Sequence, residues 1–325
     1  MIGMAGMIKQ NLRNIIVLML AFLLISCSAP TATPAPTMTP TPAPPPFRIV
    51  AYATEGIIEG LIPYEKLTHI NYSFLTPKAD GTFNTISNGW KLDNIVKNGH
   101  QENVKVLISV GGWGWDNEFE AVAADPALRS AFVQNLKAFV EEYQLDGVDI
   151  DWEYPDPGQS SLNFLALIRE IRAAMPDKLI SAAVVAYGDS NGLGIPPETF
   201  EFMDYVVVMA YSGKDHGTMD QFNKGVAYWD ARGLPQNKLV IGLPFYSEPS
   251  GVSFAKLVKN DPAAAQTDSY KYLGVMEYYN GIPTIQAKTS FALEHAGGVA
   301  FWTLDHDSQG EFSLVNAIYQ TVHAP

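Results

Sequence analysis

The chain has 325 residues, of which 47% are hydrophobic and 17% charged, with 21 Lys and Arg against 34 Asp and Glu for a formal net charge of -13. That charge repels phosphate backbones, and no basic stripe with interleaved aromatics offsets it, which excludes nucleic acid as a partner. The one cysteine excludes an intrachain disulfide, so the fold must rest on a hydrophobic core, for which the length is ample.

Lys9 and Arg13 precede the apolar run Ile15–Ile25. As a helix that run rises about 16 Å, roughly half a hydrocarbon core, which suits a signal h-region and not a membrane span. Residues 1–26 are therefore read as a signal peptide. Leu24-Ile25-Ser26-Cys27 resembles the bacterial lipobox, and the resemblance implies cleavage before Cys27 and its lipidation; the alternative is an ordinary signal peptide with an incidental cysteine. Two or three acyl chains hold firmly where one does not. Membrane contact is expected through this anchor alone, at an extracytoplasmic, cell-surface or outer-membrane location. Residues 27–46 then form the lipidated cysteine and a disordered Pro/Thr-rich tether, with too little apolar surface to offset ordering entropy.

Residues 47–325 come close to the roughly 250 residues of one eight-stranded α/β barrel. Short β-branched runs, each followed by a turn and helical periodicity, predict strands at Arg48–Tyr52, Thr68–Phe74, Lys105–Val110, Gly147–Trp152, Leu179–Val185, Tyr205–Ala210, Leu239–Leu243 and Val299–Thr303. Before the fourth strand, Asp125 is a predicted N-cap with Pro126 in the first turn, and Leu128, Phe132, Leu136, Phe139 and Tyr143 make an apolar face. Ser161 is the predicted cap of the next helix, which Pro176 stops. The fold class expected is a single (β/α)8 TIM barrel, monomeric and without a large insertion domain. In such barrels chemistry gathers at the C-terminal strand ends.

On the fourth strand Asp149, Asp151 and Glu153 alternate with Val148, Ile150 and Trp152, so a period of two puts three carboxyls on one inward face, roughly 6.6 Å apart per step. Like-charge repulsion and desolvation raise their pKa values, so at least one proton is retained, as a general acid requires. Position assigns the donor role to Glu153, nearest the open end, with Asp151 and Asp149 behind it. Structural pairing with Lys or Arg, or a metal, is the alternative. The sequence near the row offers neither a basic partner nor a histidine cluster, and no metal or organic cofactor is expected.

Asp146, Asp149, Asp151 and Glu153 in DGVDIDWEYP resemble the DxxDxDxE signature of glycoside hydrolase family 18, the chitinase family. Ser109-Val110-Gly111-Gly112 resembles its SxGG motif, Met209-Ala210-Tyr211 its Met-x-Tyr, and Phe301-Trp302-Thr303-Leu304-Asp305 its eighth-strand tryptophan segment; the likeness spans residues 48–322. It implies a retaining, substrate-assisted hydrolase of N-acetylglucosamine-containing glycan. In that mechanism the sugar's own acetamido oxygen attacks, Glu153 is the acid, Asp151 holds the acetamido N–H and Tyr211 its oxygen. Tyr52, Phe74, Ser109, Met209 and Trp302 are the implied substrate contacts, and Trp113 and Trp115 either stack further sugars or pack on a neighbouring loop. For Gly111 and Gly112, tight turning is the better account than a phosphate cradle.

The chain departs from the family's Met-x-Tyr-Asp at Ser212, which puts rate and pH optimum in question, with Asp215 as a compensating acid. Too few residues separate the seventh and eighth strands for a large α+β insertion, which predicts a shallow groove and endo cleavage; no separate carbohydrate-binding module is expected. Alternatives are an endo-β-N-acetylglucosaminidase acting on N-glycans or cell-wall glycan, a non-catalytic lectin, and a two-lobed solute-binding lipoprotein.

Overall fold

The structure, a computed structural model, describes residues 46–324; the expected signal peptide, the expected lipidation site Cys27 and the expected tether to residue 45 lie outside the described residues. Parallel strands β1 (Arg48–Thr54), β2 (His69–Leu75), β3 (Lys105–Gly111), β4 (Gly147–Asp151), β5 (Leu179–Val185), β6 (Tyr205–Met209) and β7 (Leu239–Pro244) line up as neighbours. The crossover after β7 carries a small antiparallel hairpin, β8 (Ser269–Tyr272) and β9 (Val275–Tyr278). Strand β10 (Gly298–Trp302) then fits between β7 and β1 and closes an eight-stranded barrel. Each barrel strand lies within two residues of its predicted bounds. Among the described residues no helix is long and apolar enough to cross a membrane.

Alternation along the strands sorts the side chains into two cores. Val148 and Ile150 of β4 face outward and join the large layer between strands and helices, while Val50, Leu107, Tyr205, Val207, Val240 and Ala300 pack inside the barrel. Register stacks that interior. Leu107 pairs with Gly147, Ser109 with Asp149, and Gly111 with Asp151, so going up the barrel an apolar plug gives way to a polar layer and then to the open end. Trp152 leaves the strand, but its side chain still points outward. It stacks on Phe119 at 5.2 Å and donates its indole N–H to Asp116 at 2.7 Å.

Asp125 caps the Pro126–Glu142 helix as predicted, accepting from the Ala127 and Leu128 amides at 2.7 and 3.2 Å. Ser161 does not cap its helix. The helix starts at Gln159 behind Gly158, whose φ of +105° only glycine adopts readily. The turn out of β4 thus begins the helix earlier than the hydrophobic periodicity shows, and leaves Ser161 inside its first turn.

Candidate active site

Asp149 sits in the polar layer, fully buried. Three hydroxyls donate to it: Tyr52 at 3.0 Å and Ser109 at 2.8 Å to one oxygen, Ser181 at 2.6 Å to the other. Burial raises its pKa, and these donors oppose that rise without cancelling it. Asp151, one step higher, has a buried oxygen with no partner. Burial raises its pKa well above the ordinary carboxyl value, and Glu153 and Asp149 push it further. Glu153 is also raised by burial, against a hydrogen bond from Tyr154. With Asp149 saturated by donors, the retained proton belongs to the pair Asp151 and Glu153. Asp146, fourth member of the signature, lies at the closed end and accepts from the Val106 amide, Lys105 and His100. Its work is to join strands.

Above the acids opens a cavity of about 340 Å³, at the lower end of the usual range for ligand sites. Tyr52, Phe74, Trp113, Asp151, Glu153, Met209, Tyr211 and Trp302 line it together. Trp302 forms an aromatic surface with Phe74 stacked on it at 5.4 Å and Tyr52 at 5.8 Å. Peptide bonds Ser73–Phe74, Glu153–Tyr154 and Trp302–Thr303 are cis. Trp113 is 79% exposed on the loop after β3, whereas Trp115 lines the cavity and also packs on the outer core. Ser109 does not contact the cavity: it is fully buried and spends its hydroxyl on Asp149. Gly111 and Gly112 take φ of +106° and +90°, and a Cβ on Gly111 would come within 2.4 Å of the Asp151 carbonyl. Their loop turns tightly against β4, as the sequence suggests.

Tyr211 follows β6 and is partly buried, and burial holds its phenol well above its ordinary pKa, so it remains a donor. Its ring rests on Gly242 of β7, where a Cβ would lie 2.7 Å from Cε1. Ser212 meets the Tyr246 hydroxyl at 2.7 Å. Asp215, the expected compensating acid, is absent from the cavity lining and takes the Tyr187 hydroxyl at 3.4 Å instead.

Sequence reasoning missed Ser181, Tyr154 and Tyr246. Ser181 carried a signal, being a lone hydroxyl on an otherwise apolar strand, in register with Asp149. Tyr246 carried none, because its place depends on where the segment after β7 turns. Among the described residues no three His, Cys, Asp or Glu groups converge as metal ligands.

The sequence model for glycosyl hydrolases family 18 matches residues 48–307. Chitinase 1 of Aphanocladium album is 27% identical over 235 residues, covering 57% of this chain and 56% of that protein. The chain spans about half the length of the curated relatives it matches. Among solved structures, a chitinase from Bacteroides thetaiotaomicron superposes with a TM-score of 0.77 at 28% identity, covering 86% of this chain and 97% of that one. A chitinase-like agglutinin from Robinia pseudoacacia shares the fold, with a TM-score of 0.74 at 23% identity over 84% of this chain and 98% of its own. With the acid row, the aromatic floor and the matched span all in the same barrel, the chain belongs to glycosyl hydrolases family 18.

Proposed function

We propose that the chain hydrolyses β-1,4-linked N-acetylglucosamine polymers or oligomers with retention, through an oxazolinium ion. The observation that carries this is that Asp151 and Glu153 are the only acids among the residues lining the cavity, one at the end of β4 and the other two residues beyond it. A retaining glycosidase with a protein nucleophile needs a second carboxyl about 5–5.5 Å away across the bond, and family 18 is the substrate-assisted exception. Here the sugar lies on Trp302 and its acetamido oxygen attacks the anomeric carbon. Glu153 gives its proton to the glycosidic oxygen, Asp151 accepts the acetamido N–H, and the Tyr211 phenol donates to the acetamido oxygen. Water then opens the ring as Glu153 takes a proton back.

Between β7 and β10 the only strands are those of the two-stranded β8–β9 hairpin, set between the Phe254–Asn260 and Ile282–His295 helices, and this absence of a large sheet insertion supports an open groove and endo cleavage. The sequence from Leu24 to the tether supports lipidation at Cys27 and display outside a bacterial membrane. The test is product analysis of a form starting at Pro46 with chitin oligomers and with an N-glycoprotein. Mixed oligomers from chitin support the reading; disaccharides alone from the outset would sink the endo mode. Cleavage of the glycoprotein only would mean an endo-β-N-acetylglucosaminidase. Binding without turnover would mean a lectin, which the agglutinin's shared fold makes the second reading.

Gly242→Ala tests the seat of Tyr211. A methyl group 2.7 Å from the ring and 2.9 Å from the Val208 carbonyl must displace the phenol, and a misplacement near 1 Å costs about 10²-fold in rate. Turnover at saturating oligomer should fall by about that factor, and unchanged turnover would show that the phenol's position does not matter.

A further inference from the structure

His216 lies on the turn after Tyr211, with its side chain 3% exposed. Both ring nitrogens face backbone groups whose roles are fixed. The Ser212 N–H, 3.0 Å from Nδ1, can only donate; the Tyr246 carbonyl, 3.1 Å from Nε2, can only accept. The ring is therefore neutral, with its proton on Nε2. It ties the backbone next to Tyr211 to the backbone of Tyr246, whose hydroxyl returns to Ser212 Oγ. Ser212 has a φ of +69°, a left-handed conformation that a non-glycine residue keeps only when its surroundings hold it.

The groups facing the imidazole come from two other elements. From the segment after β7, Glu248 stands 3.8 Å from Nδ1 and the Tyr246 ring 4.8 Å from the imidazole. From the Ile282–His295 helix comes Lys288, whose Nζ donates to the Gly217 carbonyl at 2.9 Å and to Asn280 at 2.8 Å and whose pKa burial lowers to about 7. Burial lowers the His216 pKa, Tyr246 and Glu248 oppose that shift, and Lys288 adds to it.

We infer that His216 is a positioning residue for catalysis: neutral, it pins Ser212 and hence Tyr211 against Tyr246, and on gaining a proton at Nδ1 it releases Ser212 and turns to Glu248. A proton on Nδ1 sets donor against donor at Ser212, and the Glu248 carboxylate stands 3.8 Å from it. For a histidine whose pKa is lowered in the fold, the hold is complete above the unfolded value of about 6.5 and is lost as pH falls through the lower folded value. The inference rests on the proposed hydrolase activity, so its test also has an arm that needs no substrate.

The test compares His216→Ala and His216→Gln in the full chain solubilised in detergent. Glutamine can accept from Ser212 and donate to Tyr246, and does not titrate. Alanine should lower kcat by roughly 10-fold or more with little change in KM. Glutamine should restore most of that loss and move the acid limb of kcat to lower pH. Wild-type kcat in the alanine variant, or an unmoved acid limb in the glutamine variant, overturns the inference. In parallel, nitrogen NMR of the His216 ring should show an acceptor Nδ1 and a protonated Nε2 at neutral pH, with the Ser212 amide signal moving as the ring titrates. The opposite tautomer, or an amide blind to the titration, also overturns it. If wild type turns over no substrate, the hydrolase reading has failed, and the NMR arm still decides the hold.

Discussion

Glu153→Gln is expected to lower kcat on N-acetylglucosamine oligomers by about 10²–10⁴-fold, the usual contribution of a general acid. That loss corresponds to about 3–5 kcal/mol of barrel-held transition-state stabilisation. Glutamine keeps the shape of the side chain and can still meet Tyr154, but it has no proton to give to the leaving oxygen. Substrate affinity should be nearly unchanged, because Trp302, Tyr52 and Phe74 still line the cavity. The check is single-turnover rate with a matched binding isotherm. A variant that still cleaves within a few-fold of wild type would remove Glu153 from the acid role and leave the row without a function.

Asp151→Asn should lower kcat about 10²–10³-fold, the range seen when one preorganised polar contact to a developing charge is lost. Its pH dependence is the sharper readout. Burial is the first cause of the raised Asp151 pKa and the charge of Glu153 the second, a repulsion that belongs to the pair. Asparagine removes it, so the Glu153 pKa falls and the basic limb of kcat/KM moves to lower pH. An unmoved limb would show the two carboxyls to be independent. Stability should change the other way. A carboxyl whose folded pKa is raised above the unfolded value weakens the fold as pH rises through that range. The asparagine variant should therefore melt higher than wild type at neutral pH, with the difference vanishing below about pH 4, near the unfolded carboxyl value.

The barrel was legible because each of its strands carries its own signal. The β-branched runs stand between turns, and Asp125-Pro126 announces a helix start that the Ala127 amide confirms at 2.7 Å. The acid row was legible for the same reason, since period-two alternation is local. What escaped were features set by distant parts of the chain. The β8–β9 hairpin is held to the segment after β7 by Tyr278 pairing with Glu248 at 2.8 and 2.9 Å and by Glu277, which accepts from the Ser247 hydroxyl at 2.7 Å. Ser109 looked like a substrate contact from its motif, but register places it level with Asp149, below the cavity floor. Ser161 looked like a cap because Gly158 offers no side chain to announce one. The hold on Ser212 by His216 and Tyr246 needs a loop after β6 and a segment after β7 to meet, which no window of sequence displays.

Strand β4 has a further consequence for how such an enzyme can be altered. Its inner positions carry the acids, and its outer ones, Val148, Ile150 and the following Trp152, are locked among Phe119, Phe164 and the rest of the helix layer. A one-residue insertion or deletion there would exchange the two faces, driving carboxylates into hydrocarbon and an indole into the reaction centre at once. Substitution is the route by which this strand can diverge, whereas the loop residue Trp113 stands exposed at the rim. New substrate preferences in this scaffold must therefore be written in its rim, in a region of the chain separate from the one that supplies the proton.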